Sequence, residues 1–211
     1  MLKITTKHAL KYHNIWIILL SKIIKEGITM KFEKLTKLIT TALFTAIICV
    51  ATYVVQIPMP ATGGYVNLGD CFVLTAGLFL GAGYGAIAAG LGSALADIIA
   101  GYVQYAPATF VIKALMAIVV FAVYKMLKKS FGGKLSAVSK LIGGICAEAV
   151  MVLGYFGYEA VILKYGIGAA GSILGNVMQG IVGTVAAVAL ATAFEKVAGK
   201  SKTISSLFMK G

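Results

Sequence analysis

The chain reads as an all-α membrane protein with six transmembrane helices and both termini in the cytoplasm, and three observations predict this. Of its 211 residues, 60% are hydrophobic and 12% charged, with a mean hydropathy of +0.95, outside the range of soluble domains. The apolar residues fall into stretches of the length that a ~30 Å hydrocarbon core requires, ~20 residues per helix. All 19 basic residues are lysine, and they flank these stretches on alternate connections.

The expected spans are about 36–56, 68–82, 84–101, 107–125, 138–162 and 168–194. Lys31, Lys34 and Lys37 precede the first, which places its start in the cytoplasm. Its Ala42 and Ala46, extended by Thr41 and Thr45, form a small-residue stripe that lets another helix approach closely. Pro58, Pro60, Gly63 and Gly64 then exclude a long regular helix, so the outer connection Ile57–Asp70 is read as a loop that serves as a lid. Gly81-Ala82-Gly83-Tyr84-Gly85 makes the tight turn between the second and third spans. Pro107 opens the fourth, and Lys125, Lys128, Lys129, Lys134 and Lys140 fill the connection to the fifth. The outer connections hold only Lys164, and Lys196, Lys200, Lys202 and Lys210 follow the last span. Both ends are therefore expected inside, with residues 30–200 as the membrane domain and 201–211 as a cytoplasmic tail.

Residues 1–29 read as an extension. The apolar run Asn14–Ile24 is too short to span, and no small-residue cleavage site follows it. Met30 is the expected start of the functional protein, because Lys25-Glu26-Gly27 is what a purine-rich ribosome-binding site yields in translation. The competing reading is an amphipathic surface helix with His8 and His13 on its polar face. Cys49, Cys71 and Cys146 lie in or beside apolar spans with no C-x-x-C, and are expected as small buried residues.

Several functions fail on their motifs. The +12 charge comes from lysines flanking spans and not from a basic face, which argues against nucleic acid. Gly199-Lys200-Ser201 lacks the phosphate-loop glycine, since Phe194 stands in its place. Asn67-Leu68-Gly69-Asp70 is not the G-x-G-D of membrane aspartyl proteases. No histidine lies in a span to activate Ser93, and there is no H-E-x-x-H. No catalytic residue, metal site or cofactor is expected.

Polar residues inside spans are costly and need partners, a cavity or a function. Followed through the expected topology, nearly all of them fall in the outer half. Asn67 and Asp70 open the second span, Asp97 lies near the outer end of the third, and Tyr102 follows it. Lys113 lies roughly 9 Å into the fourth. The fifth rises through Glu148 to Tyr155, and the sixth descends through Asn176 and Gln179. Two readings compete. In one, Asp97 and Lys113 form a structural ion pair, while Asn176 and Gln179 tie helices together. In the other, these residues line a pocket open to the outside for a polar, ring-shaped molecule.

Four motifs carry a family resemblance. The Ala42–Ala46 step, Gly64-Tyr65-Val66-Asn67-Leu68-Gly69-Asp70, the glycine-rich Gly90–Asp97, and Ala106-Pro107-Ala108-Thr109-Phe110-Val111-Ile112-Lys113 together resemble substrate-binding S components of energy-coupling factor (ECF) vitamin transporters. The resemblance covers roughly residues 33–195 and is most specific between Gly64 and Lys113. It implies capture of a water-soluble vitamin or precursor from outside a prokaryotic cell membrane. It also implies docking, through Ala42 and Ala46, on a transmembrane coupling subunit driven by two cytoplasmic ATPases, with the S component toppling in the membrane.

For the ligand, tyrosines suit a flat heterocycle and the amides its exocyclic groups. The expectation is hydroxymethylpyrimidine or a vitamin B6 form ahead of riboflavin. A strongly anionic vitamin is disfavoured because Lys113 is the one deep cation. The alternative is a stand-alone proton-coupled carrier relaying protons through Asp97, Glu148 or Glu159. A purely structural subunit is a third reading.

Overall fold

The computed structural model describes residues 32–60, 62–131 and 136–198. The extension at 1–29, the start at Met30 and the tail at 201–211 lie outside the described residues. The chain divides into two compact units, one ending at Ile39 and one starting at Thr40. Of the first, residues 32–39 are described and are helical. The second holds all the other described residues.

Among the described residues, five helices are long and apolar enough to cross a membrane. They are α1 (Phe32–Val54), α2 (Asp70–Ile99), α3 (Ala106–Ser130), α4 (Ser136–Gly157) and α5 (Ile173–Ala198). A π-helical turn, Tyr158–Ile162, prolongs α4, and a 3-10 stretch, Gly166–Ser172, leads into α5. Each lies within a few residues of an expected span, except that the second and third expected spans form one element.

That element is broken at Gly81, whose backbone (φ 78°, ψ −179°) is not helical. A Cβ on Gly85 would lie 2.8 Å from the Ala76 carbonyl oxygen and 2.9 Å from Gly77 Cα. In a straight helix Gly85 and Ala76 would stand about 13 Å apart. The chain therefore folds back at Gly81, a turn that glycine permits and a side chain would strain. Its arms, residues 70–80 and 82–99, measure about 16 Å and 27 Å at 1.5 Å per residue.

The all-helical expectation holds for the spans, but the connection between α1 and α2, expected as a loop, contains a short hairpin. Strands β1 (Gln56–Met59) and β2 (Gly64–Asn67) pair antiparallel, with Gln56 opposite Asn67 and Met59 opposite Gly64. Gly63 makes the left-handed turn at φ 65°. Pro58 does not prevent pairing, because a two-stranded ribbon has a free edge for a residue without an N–H.

The core is built from small and branched apolar residues. Ile48, Val73, Ala88, Met116, Val120 and Met151 are fully buried in one cluster. Glycines bring backbones together: a Cβ on Gly77 would sit 2.5 Å from the Ala117 carbonyl, and one on Gly92 would sit 2.6 Å from that of Thr45. Large apolar residues such as Leu153, Val161 and Leu174 face outward, at 70%, 71% and 73% exposure. Such a surface suits hydrocarbon and not water.

One polar cluster lies where the inner ends of the helices are expected to carry almost none. Lys140, read from sequence as a connection lysine, is buried within α4 and pairs with Glu195 of α5 at 2.6 Å. Tyr124 of α3 donates to the same carboxylate at 3.4 Å. The three helices are tied there by groups that satisfy one another.

Candidate ligand cavity

Residues from all five helices and the hairpin surround a small cavity of about 30 Å³. The hairpin supplies Met59, Gly64, Tyr65 and Asn67. Below it, α2 contributes Ser93 and Asp97, and α3 contributes Thr109 and Lys113, with Tyr105 immediately before it. The far wall is Tyr155 and Glu159 at the end of α4, and Asn176 and Gln179 on α5.

The local sequence explains the hairpin's placement. The Asn67 side chain accepts the Gly69 N–H at 2.8 Å, turning the chain into α2. A Cβ on Gly69 would lie 2.0 Å from Thr52 Oγ1, so only glycine fits against α1. Three further hydrogen bonds tie the hairpin down. Tyr65 donates to Asp97 Oδ1 at 2.6 Å, and the Asn67 N–H donates to Gln179 Oε1 at 2.6 Å. Tyr105 donates to the Thr62 carbonyl at 2.8 Å. Burial pushes the Tyr65 phenol well above the usual range, and the Asp97 carboxylate adds to this. Tyr65 is therefore a neutral donor. Burial and the nearby Glu159 do the same for Tyr105.

Beneath the hairpin, Lys113 pairs with Asp70 and not with Asp97. This corrects the expected ion pair: Lys113 turns toward the start of α2 and not toward its end. Lys113 lies seven residues into α3, roughly 10 Å along it. Asp97 sits two residues from the end of α2, where Tyr65 reaches it instead. The other Asp70 oxygen accepts from Gln179 Nε2 at 2.5 Å. Lys113 also contacts Met151 Sδ at 3.1 Å and lies 5.7 Å from the centre of the Tyr155 ring. Glu159 accepts from Ser172 Oγ at 2.5 Å and lies 3.2 Å from the Tyr105 hydroxyl. Tyr155 and Thr109 share a bond at 3.0 Å.

Six of the nine expected binding residues line the cavity: Asn67, Asp97, Lys113, Tyr155, Asn176 and Gln179. Three stand outside its lining. Asp70 is fully buried behind Lys113 and Gln179. Tyr102 packs on Tyr65, ring centres 4.7 Å apart. Glu148 lies between α4 and α5, its side chain against Gly180 and Gly183. Sequence reasoning missed Thr52, Met59, Ser93 and Thr109. The hydroxyls sit singly among apolar residues, where they resemble ordinary helix-packing groups, and Met59 carries no polar signal. Ala42 and Ala46 are exposed on α1, away from the buried Thr41, Ile48 and Thr52.

Four buried polar atoms around the cavity have no hydrogen-bond partner among the described residues: Thr52 Oγ1, Ser93 Oγ, Asp97 Oδ2 and Asn176 Nδ2. Buried polar groups are nearly always paired, so unpaired ones facing a cavity mark positions for a ligand's donors and acceptors. Aromatic walls with a few convergent polar groups are the usual make-up of a small-molecule site.

Comparison with known proteins agrees with this architecture. The family model described as ECF-type riboflavin transporter, S component, matches residues 32–196. A protein of Pyrococcus woesei, described as "Uncharacterized protein in gap 3'region", is 34% identical over 138 residues, covering 65% of this chain and 87% of that one. A solved structure described as "Structure and mechanism of the S component of a bacterial ECF transporter" matches with a TM-score of 0.63 at 26% identity, over 78% of this chain and 98% of that one. The chain belongs to the ECF-type riboflavin transporter S-component family, whose members are membrane transport components and not enzymes.

Proposed function

We propose that the cavity binds riboflavin and that the chain captures it for uptake across a prokaryotic plasma membrane. The observation that carries this reading is the set of unpaired buried groups, Asp97 Oδ2, Asn176 Nδ2, Ser93 Oγ and Thr52 Oγ1, around an aromatic cavity. Asp97 requires a donor and Asn176 an acceptor, while the two hydroxyls serve either way. A flavin offers ring N–H and carbonyl groups for the first pair and a polyol chain for the second. The family match moves the choice from the smaller heterocycles expected from sequence to the flavin.

The fold-back at Gly81 supports counting the two arms of α2 as separate passes, six in all, and the lysine distribution supports an inside position for both termini. The transmembrane coupling subunit, driven by two cytoplasmic ATPases, docks in this reading on the exposed face of α1 at Ala42 and Ala46. The proton-coupled carrier reading retains one observation: both Glu148 carboxyl oxygens are buried without a partner among the described residues.

Mass spectrometry of whatever co-purifies with the detergent-solubilised protein, followed by titration with a vitamin panel, tests the proposal. Stoichiometric riboflavin supports it, and a pyrimidine or pyridine in its place overturns the flavin assignment. Uptake that needs no ATPase partner and collapses with a protonophore favours the carrier.

A further inference from the structure

The geometry points to Asp70 as the residue that makes the cavity selective for an uncharged ligand over its phosphate ester, by cancelling the charge of Lys113. The inference rests on the flavin reading and names a specificity within it. Lys113 is the one cation among the described residues lining the cavity, whose carboxyls are Asp97 and Glu159. Asp70 is 0% exposed and lies outside the lining, yet one of its oxygens takes the Lys113 ammonium and the other takes Gln179 Nε2. Lys113 therefore reaches the cavity as a hydrogen-bond donor without net positive charge.

Gln179 is fixed by the same carboxylate. With its Nε2 held by Asp70, its Oε1 is left to accept the Asn67 N–H of the hairpin. A phosphate monoester in this cavity would meet carboxylates with no uncompensated cation to offset them. The nearby Glu148 adds no positive charge. It packs against Gly183 alongside Asp70 Cβ, outside the cavity lining.

The test compares riboflavin and its 5′-phosphate by flavin fluorescence titration on full-length protein in detergent at fixed pH and salt. The readout is the ratio of the two Kd values, so effects common to both ligands, including any rotation of Gln179, cancel. Wild type favours riboflavin. Asp70→Asn exposes one positive charge, and the ratio shifts toward the phosphate by roughly tenfold, as for unit charges about 10 Å apart at an effective dielectric constant near 20.

The double variant Asp70→Asn, Lys113→Met replaces the buried pair with neutral groups, a change such pairs commonly tolerate. Its ratio stays within about twofold of wild type if the native pair carries no net charge. An unchanged ratio in Asp70→Asn overturns the inference. So does a roughly tenfold loss of relative phosphate affinity in the double variant, because Lys113 would then act as a free cation in the native protein. The double variant decides the matter even if the single one does not fold. If wild type binds neither flavin, the flavin reading falls separately, and the same ratio measured with vitamin B6 and its phosphate tests the role of Asp70.

Discussion

Tyr65→Phe tests whether ligand leaves the cavity by lifting the hairpin. The hairpin is held by three hydrogen bonds to different places: Tyr65 to Asp97 on α2, the Asn67 N–H to Gln179 on α5, and Thr62 to Tyr105 beside α3. Lifting it breaks all three. Phenylalanine deletes only the first, and it preserves the ring that packs on Tyr102 at 4.7 Å. A hydrogen bond to a charged group contributes about 1.5–3 kcal/mol, so its loss accelerates opening by roughly 10- to 150-fold. Entry uses the same opening, so association accelerates too and Kd moves far less than koff. Stopped-flow flavin fluorescence, with displacement by excess unlabelled competitor, measures both rates. A koff within twofold of wild type would refute the reasoning and place the exit elsewhere. The pH dependence follows from the raised Tyr65 pKa. Its stabilisation is fully present below the unfolded phenol's pKa of about 10 and is lost as pH climbs above that value. Release from wild type attributable to this bond is therefore flat between about pH 6 and 9.

Three further perturbations address packing, the cavity wall and docking. Gly92→Ala places a methyl 2.6 Å from the Thr45 carbonyl and 2.9 Å from Ile48 Cβ. It should cost about 1–3 kcal/mol by overpacking, seen as a lower Tm in detergent. Gly83→Ala, with nothing within 4 Å, should leave Tm unchanged or slightly raised. Glu159→Gln replaces the charged acceptor of the Ser172 hydroxyl by a neutral amide, so it should lower Tm and speed ligand release, by about 1–2 kcal/mol. Unchanged Tm and koff would show that this cluster does not hold the roof of the cavity. Ala42→Trp with Ala46→Trp should abolish cellular uptake while leaving binding by the purified protein intact. Surviving uptake would remove α1 from the docking interface.

The fold was legible where one physical rule dominates. Hydrocarbon thickness located the helices to within a few residues, and glycine spacing marked the reversal at Gly81. The hairpin was not legible, because four-residue strands interrupted by Pro58 carry too little alternation to outweigh turn residues. Within the site, depth alone placed Asn67, Asp97, Lys113, Tyr155, Asn176 and Gln179 at the level where they line one cavity. Depth could not say which carboxylate meets Lys113, since rotation about each helix axis decides that and the sequence shows only position along it. Glu148 shows the same limit: it has the expected depth but points between α4 and α5.

Helix α1 joins the two halves of the proposed mechanism. One of its faces is buried through Thr41, Ile48 and Thr52, while Ala42 and Ala46 lie exposed. Thr52 also lines the cavity, and its hydroxyl abuts Gly69 so closely that no Cβ fits there. Gly69 is the joint between the hairpin and α2. A hairpin that lifts to admit ligand must therefore either slide Gly69 past Thr52 or carry the outer end of α1 with it. Close-packed interfaces of this kind tend to switch between discrete arrangements and resist continuous deformation. Ala46 stands about 9 Å from Thr52 along the same helix, so a shift at the cavity reaches the proposed docking face through a single rigid element.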